Sequence, residues 1–349
     1  MSDISKIDKN FAVNTDIKRE NLRFYSAGDA PFKIFGVFHE GGKYRRMPEA
    51  VAKAVSEQVE SLHACAAGGR VRFVTDSPYI VISAKMDKVR RMPHFALTGV
   101  GGFDMYVDDE FIKCFVPPLS FEGGYSSVHD FPTKQKRSIT INFPLYSDVC
   151  ELYIGLHADA LIEPATDYIN EKPVVYYGSS ITQGGCASRP GNSYQAIASR
   201  NLNLDYINLG FSGSARAEVA MMEYIASLDM SVFVYDYDHN AYTIEYLENT
   251  HEAGFKTVRN AHPNLPIIIM TRPNFKIDAE NDERCAIIKR TYDNAVALGD
   301  KNVYLIEGRE LMALCNSDGT VDGVHPTDFG FHSMANAVTK VLLEILNDN

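Results

Sequence analysis

The chain has 349 residues, 45% hydrophobic and 23% charged, an ordinary globular balance with room for two domains of usual size. A formal net charge of −11 argues against a nucleic-acid partner, because a polyanionic surface repels phosphates. No apolar run is long enough to cross a bilayer, and the polar start Met1–Lys9 lacks the apolar core of a signal peptide. A soluble, cytoplasmic chain with no membrane partner is therefore expected, and a homo-oligomer stays open.

From about Lys33 to Leu161 the apolar runs are short and broken by turns. Arg70–Val74, Tyr79–Ser83, Phe103–Val107, Ser138–Phe143 and Glu151–Leu156 read as strands, several with the period-two alternation of a half-buried sheet. Gly68-Gly69, Gly101-Gly102, Pro117-Pro118 and Gly123-Gly124 supply the breaks. One helical stretch interrupts them, about Pro48 to Leu62, with Val51, Ala54, Val55, Val59 and Leu62 on one face. The expectation is a β-sandwich of jelly-roll type over residues 1–165.

After a polar, proline-containing connection at Leu161–Pro173, strand and helix alternate. Val174–Tyr177, Tyr206–Leu209, Val232–Tyr235, Ile267–Met270 and Val303–Ile306 read as strands. Ser193–Asn201, Arg216–Ser227, Thr243–Ala261, Glu283–Leu298 and a last segment from Asp328 read as helices. That alternation predicts an α/β domain over residues 172–349, a doubly wound parallel sheet with helices on both faces.

The first of these strands runs into Gly178-Ser179-Ser180-Ile181-Thr182-Gln183-Gly184, a small-residue turn at the edge where open α/β sheets bind ligands. A serine needs a base to act as a nucleophile, and the base needs a group that fixes its tautomer. Asp322-Gly323-Val324-His325-Pro326, just before the last helix, offers both at a spacing that lets the carboxylate reach the imidazole. Either motif alone is commonly a plain loop; their joint placement at two sheet-edge loops points to Ser180, His325 and Asp322 as a catalytic set. Oxyanion donors are available on two further loops, Gly213 after the second strand and Asn240 after the third, beside the Ser180 N–H. The plain alternatives are that Gly213 only makes a turn and Asn240 only caps a helix.

These blocks resemble the SGNH (GDSL-type) hydrolase superfamily. Gly178-Ser179-Ser180-Ile181-Thr182 is similar to its G-D-S-x-[ST] turn, Phe211-Ser212-Gly213 to its oxyanion-glycine block, Asp238-His239-Asn240-Ala241 to its G-x-N-D block, and Asp322-Gly323-Val324-His325 to its D-x-x-H block. The resemblance implies a flavodoxin-like sheet. It also implies a nucleophile at Ser180, oxyanion donors at Ser180, Gly213 and Asn240, and a His325–Asp322 pair, with no cofactor and no metal. Ser179 departs from the family aspartate, and the third block lacks its leading glycine and trailing aspartate. Gly102-Phe103-Asp104-Met105-Tyr106 resembles the G-x-D-L-Y motif of a β-sandwich that precedes some of these hydrolases, as in bacterial carbohydrate esterases. The implied activity is hydrolysis of short-chain, acetyl above all, esters of carbohydrate, with an acyltransferase on the same residues as the alternative.

Other readings are weaker. Gly210-Phe211-Ser212-Gly213-Ser214 lacks the last glycine of a G-x-S-x-G elbow, and neither a phosphate-loop lysine nor G-x-G-x-x-G is present. Asp236, Asp238 and His239, with Asp322 and His325, keep a metal-dependent hydrolase open. A non-catalytic sugar-binding module is disfavoured by the absence of Trp; the 19 Tyr are the substitutes. Six scattered cysteines read as free thiols, with Cys186 worth watching because it lies six residues after Ser180. Arg189 reads as a solvated loop arginine, with a cleft-lining role as the sharper option.

Overall fold

The computed structural model describes residues 13–273 and 279–348, so the polar start Met1–Lys9 lies outside the described residues. The chain forms two compact units: residues 1–46, 64–167 and 189–191, and residues 47–63, 168–188 and 192–349.

The first unit is built from two antiparallel sheets. One has the order β1 (Leu22–Ser26), β11 (Ser147–His157), β6 (Tyr79–Val89), β9 (Gly124–Asp130). The other has the order β12 (Ile162–Pro164), β5 (Arg70–Thr75), β10 (Arg137–Asn142), β7 (Phe103–Val107), β8 (Glu110–Phe115), with β2 (Lys33–Phe35) also paired to β5. A small hairpin of β3 (Phe38–Glu40) and β4 (Lys43–Arg45) completes the set. Because alternate strand residues point to one side, Val71, Phe73, Met105, Ile139 and Ile141 of one sheet share a core with Ile80, Ile82, Leu152 and Ile154 of the other.

Within this unit the Gly102–Tyr106 motif has a definite structural task. Asp104 is fully buried and accepts hydrogen bonds from Asn142 Nδ2 (2.8 Å), the Gly191 N–H (2.8 Å) and Arg189 Nη1 (3.0 Å). The Tyr106 hydroxyl also bonds Arg189, whose guanidinium lies 3.8 Å from the centre of the Phe111 ring. Arg189 is therefore neither a solvated loop residue nor a free ligand group. It is a half-buried clamp, because a carboxylate, a phenol and a ring face converge on it. Gly191 has to be glycine, since a Cβ there would stand 2.4 Å from the Tyr106 hydroxyl.

The second unit carries a five-stranded parallel sheet of order β14 (Tyr206–Gly210), β13 (Val174–Gly178), β15 (Val232–Asp236), β16 (Ile267–Met270), β17 (Val303–Ile306). Counted within the unit this is 2-1-3-4-5, the doubly wound order of flavodoxin-like sheets. Val175, Tyr177, Phe233, Tyr235, Ile267 and Ile269 form one core face with α6 (Val219–Ala226), α7 (Ile244–Ala261) and α8 (Ala279–Ala297). Tyr176, one position out of phase, turns to the other face and meets Tyr194 of α5 (Tyr194–Leu202), which in turn stacks on Phe331 of α10 (Asp328–Asp348). Among the described residues no helix is long and apolar enough to cross a membrane.

The helical stretch read at Pro48–Leu62 is two helices, α1 (Glu49–Val55) and α2 (Glu57–Leu62). Ser56 breaks it: its backbone is extended and its hydroxyl accepts the Val59 N–H, capping α2. Although this segment interrupts the first unit in sequence, it belongs to the second. Met47, Ala52 and Val59 are buried in that unit's core, with Val51, Val55 and Leu62 packed against it. The apolar face seen in the sequence is real, and its partner is the distant α/β unit rather than the neighbouring strands.

Candidate active site

Three parallel strands deliver their carboxyl ends to one edge of the sheet. β13 ends at Gly178, where a Cβ would lie 2.1 Å from the Asp236 carbonyl oxygen and 2.2 Å from Thr182 Oγ1, so only glycine lets the turn approach β15. The chain then enters a single helical turn, α4 (Ser180–Gln183), closed by Gly184 at φ +99°. Ser179 is its N-cap: the hydroxyl accepts the Ile181 N–H at 3.2 Å, the bond a capping aspartate would also make. Ser180, 9% exposed, is the first residue of that turn.

His325 comes from a loop 145 positions away. Its Nε2 lies 2.9 Å from Ser180 Oγ, and its Nδ1 lies 2.8 Å from Asp322 Oδ2. The carboxylate accepts at Nδ1, so the proton sits there and Nε2 is left to receive the serine hydroxyl. Asp322 Oδ1 accepts the N–H groups of Val324 (3.0 Å) and His325 (2.8 Å), locking the loop around the carboxylate. Burial pushes the Asp322 carboxyl up, but these N–H donors and the imidazole outweigh it and hold the group at about 2. The loop is closed by the Val321 N–H on the His325 carbonyl (2.8 Å), and Gly323 takes the positive φ (+88°) its tight turn needs. Next to it, the first residue of α10, Asp328, accepts the Ser188 N–H (2.8 Å), tying the segment after the Ser180 turn to the helix after His325.

The other two site residues predicted from the sequence lie on neighbouring loops. Gly213 follows β14 with φ +68° and open space around it. Asn240 lies in the 3₁₀ turn Asp238–Asn240 after β15, and its Nδ2 donates to the Phe211 carbonyl at 3.0 Å, joining the two loops. The Asn240 amide therefore braces the glycine loop instead of capping a helix.

Several residues that support this edge were not legible in the sequence. Gln183 Oε1 accepts the Ser212 N–H (2.9 Å), placing the glycine loop against α4. Asn208 Nδ2 (2.7 Å) and Gln195 Nε2 (2.6 Å) both donate to the Thr182 carbonyl, while Asn208 Oδ1 accepts the Gly210 N–H (2.9 Å). A polar residue inside an otherwise apolar buried strand, as Asn208 is, was the one available signal.

The acidic cluster Asp236, Asp238 and His239 does not assemble as a metal-ligand set. Asp238 receives a two-pronged bond from Arg272 (2.9 Å at each oxygen) and a third from Arg284 (3.2 Å), and Arg284 Nη2 also holds the Ala241 carbonyl (3.0 Å). Burial alone would raise the Asp238 carboxyl; Arg272 above all keeps it below the usual range. Burial and Arg272 push the His239 imidazole down to about 4, so it is neutral at pH 7. Cys186 is no thiolate either, since burial and then the Asp322 charge raise it to about 12.

Asp236 is different. It is buried beneath the turn, where Oδ2 accepts the Thr182 hydroxyl (3.0 Å) and Oδ1 has no partner among the described residues. Burial raises it to about 8, with Thr182 opposing and Asp238 adding to the shift. The unfolded chain would ionise this carboxyl near ~3.9. The folded state therefore holds a proton that the unfolded state has lost, and stability should fall as pH rises from about 4 through about 8. The groups facing it are Thr182, Tyr194 and Asp238. Asp236→Asn is expected to flatten that part of the profile in urea unfolding. Parallel profiles for wild type and variant would show that the carboxyl is not the source.

A doubly wound sheet with a serine, an imidazole and a carboxylate in one hydrogen-bonded row at its carboxyl edge defines the class as an α/β hydrolytic enzyme. Residues 171–343 match the model of the GDSL-like lipase/acylhydrolase family, and residues 22–162 match GxDLY, the N-terminus of SGNH-hydrolase-type esterases. Residues 171–343 are thus a GDSL/SGNH hydrolase domain, residues 22–162 are the domain that precedes such esterases, and the chain is an esterase of that kind. The structure is similar to a protein of Bacteroides ovatus ATCC 8483 described as a GDSL-like lipase, at 27% identity and TM-score 0.83, over 94% of this chain and 98% of that one. It is also similar in fold to the salicylyl-acyltransferase SsfX3 of a tetracycline biosynthetic pathway (19% identity, TM-score 0.76, 94% and 99% covered). A family two carbohydrate esterase of Cellvibrio japonicus shares the fold as well (11% identity, TM-score 0.65, 93% and 98% covered). Among curated proteins no match was found.

Proposed function

We propose that the protein releases a short acyl group, acetyl above all, from O-acylated carbohydrate through an acyl-enzyme on Ser180. The observation that carries this reading is the relay from Ser180 Oγ to His325 Nε2 (2.9 Å) and from His325 Nδ1 to Asp322 (2.8 Å). Ser180 Oγ attacks the ester carbonyl as its proton passes to Nε2. Asp322, charged down to about pH 2, stabilises the imidazolium. The Ser180 N–H, the Gly213 N–H and the Asn240 amide donate to the oxyanion. The imidazolium returns its proton to the departing alcohol. Water, activated by the same imidazole, then cleaves the acyl-enzyme. None of these steps calls for a cofactor. The match to the lipase/acylhydrolase family supports the acyl ester, and the carbohydrate esterase among the similar folds supports the sugar.

The test is acetate release from acetylated xylobiose and from p-nitrophenyl esters of two, four and eight carbons, together with a fluorophosphonate probe. Peptide mass spectrometry should place the adduct on Ser180, and rates should fall with acyl length. No adduct, or an adduct elsewhere, would sink the mechanism. Transfer to an alcohol starts from the same acyl-enzyme, so faster acyl turnover on adding a sugar acceptor would make the enzyme a transferase.

A further inference from the structure

Beside the glycine loop stands a cross-braced aromatic group for which the chemistry above has no use. The Tyr242 side chain is 59% exposed, two positions after Asn240. An exposed tyrosine is ordinarily free to turn; this one is held. Arg216 Nη1 donates to its hydroxyl at 2.9 Å, and the guanidinium carbon lies 4.3 Å from the ring centre. Tyr246 packs against it with ring centres 4.8 Å apart at 70°, and the Tyr246 hydroxyl donates to the Arg216 carbonyl (3.0 Å). Arg216 Nη2 donates to the Gly213 carbonyl at 3.1 Å, which ties the group to the loop offering the oxyanion N–H.

We infer that Tyr242, backed by Arg216, is a stacking platform for the pyranose ring of the substrate's alcohol half. This rests on the esterase reading above and names where the sugar sits. A pyranose presents an apolar C–H face and a rim of hydroxyls. The Tyr242 ring can take the C–H face, while the Arg216 guanidinium, spent on the Tyr242 hydroxyl and the Gly213 carbonyl, holds the ring in place. A ring fixed before binding loses little freedom when the sugar arrives. Trp is absent from the chain, so a tyrosine has to serve. A single exposed ring is too small a surface for a protein partner, which needs about 800 Å² on each side.

The experiment compares acetylated xylobiose with ethyl acetate, an ester without a ring. Tyr242→Ala is expected to lower the ratio of kcat/KM between the two about 10-fold, through KM on the saccharide. Tyr242→Phe keeps the ring and should hold most of the ratio. Equal losses on both esters, or an unchanged ratio in Tyr242→Ala, would overturn the platform. Saturation-transfer NMR with unacetylated xylotriose separates this inference from the esterase reading. If neither ester is cleaved, contact between xylotriose and wild type that is lost in Tyr242→Ala keeps the subsite and rejects the esterase reading. No contact in wild type rejects the platform.

Discussion

Ser180→Ala is expected to lower kcat/KM on short esters by about 10⁵–10⁶-fold, with thermal unfolding essentially unchanged. The hydroxyl lies 2.9 Å from His325 Nε2. Cys186, six residues on, is held at about 12 and stays a thiol at neutral pH. His325→Ala should cost about as much as Ser180→Ala, and the double variant scarcely more, because the residues act as one unit. Asp322→Asn should cost about 10⁴-fold, since an amide that donates toward Nδ1 favours the tautomer with the proton on the wrong nitrogen. Single-turnover rates across the set give the comparison. Near-wild-type activity in Ser180→Ala would remove the nucleophile, and strictly additive losses would remove the unit. A residual rate above water is expected even without Ser180, because the oxyanion donors remain.

The second large effect is on stability. Asp238→Ala is expected to destabilise the protein by about 3–5 kcal/mol, because it takes from two guanidiniums the buried carboxylate they share and leaves Arg284 only the exposed Glu280, at 3.1 Å. Arg284 is buried, Arg272 is largely so, and Asp238 is the carboxylate that both contact. The loss should appear as a midpoint lower by on the order of 10 °C. Asp238 lies two residues before Asn240, and Arg284 holds the Ala241 carbonyl just beyond it, so kcat should fall alongside stability. Replacing Asp238, Arg272 and Arg284 together with apolar side chains should recover most of the stability while leaving kcat low. Such an outcome would separate the cost of an unpaired charge from the positioning of the loop. A change below about 1 kcal/mol in Asp238→Ala would mean that water already reaches the pair.

The residues that meet at the candidate site were mostly legible because their signals are local. Gly178, Ser180 and Gly184 sit together at the end of an apolar run, and Asp322 and His325 are three positions apart. The five sheet strands could be read from the alternation of apolar runs with helical periods, which depends only on neighbours along the chain. Asp238 was less legible for the opposite reason. Its carboxylate looked available for a metal because both of its partners lie more than thirty positions away, at Arg272 and Arg284. Arg189 likewise looked solvated, and its clamp on Asp104 spans 85 positions.

The same division holds for the fold as a whole. Periodicity showed that residues 48–62 are helical and which face is apolar; it carried no information about which core that face would enter. The sequence was sufficient for the parallel α/β half, for the strand-rich first half and for the residues that can carry acyl chemistry. Packing alone determined that α1 and α2 join the second unit, that residues 189–191 join the first, and that Asp236 is sealed under the Ser180 turn with a proton it would otherwise lose. The reason is physical. A propensity or a cap is set within a turn of the chain, whereas burial, ion pairing and a shifted pKa depend on groups that only the folded chain brings within a few ångströms.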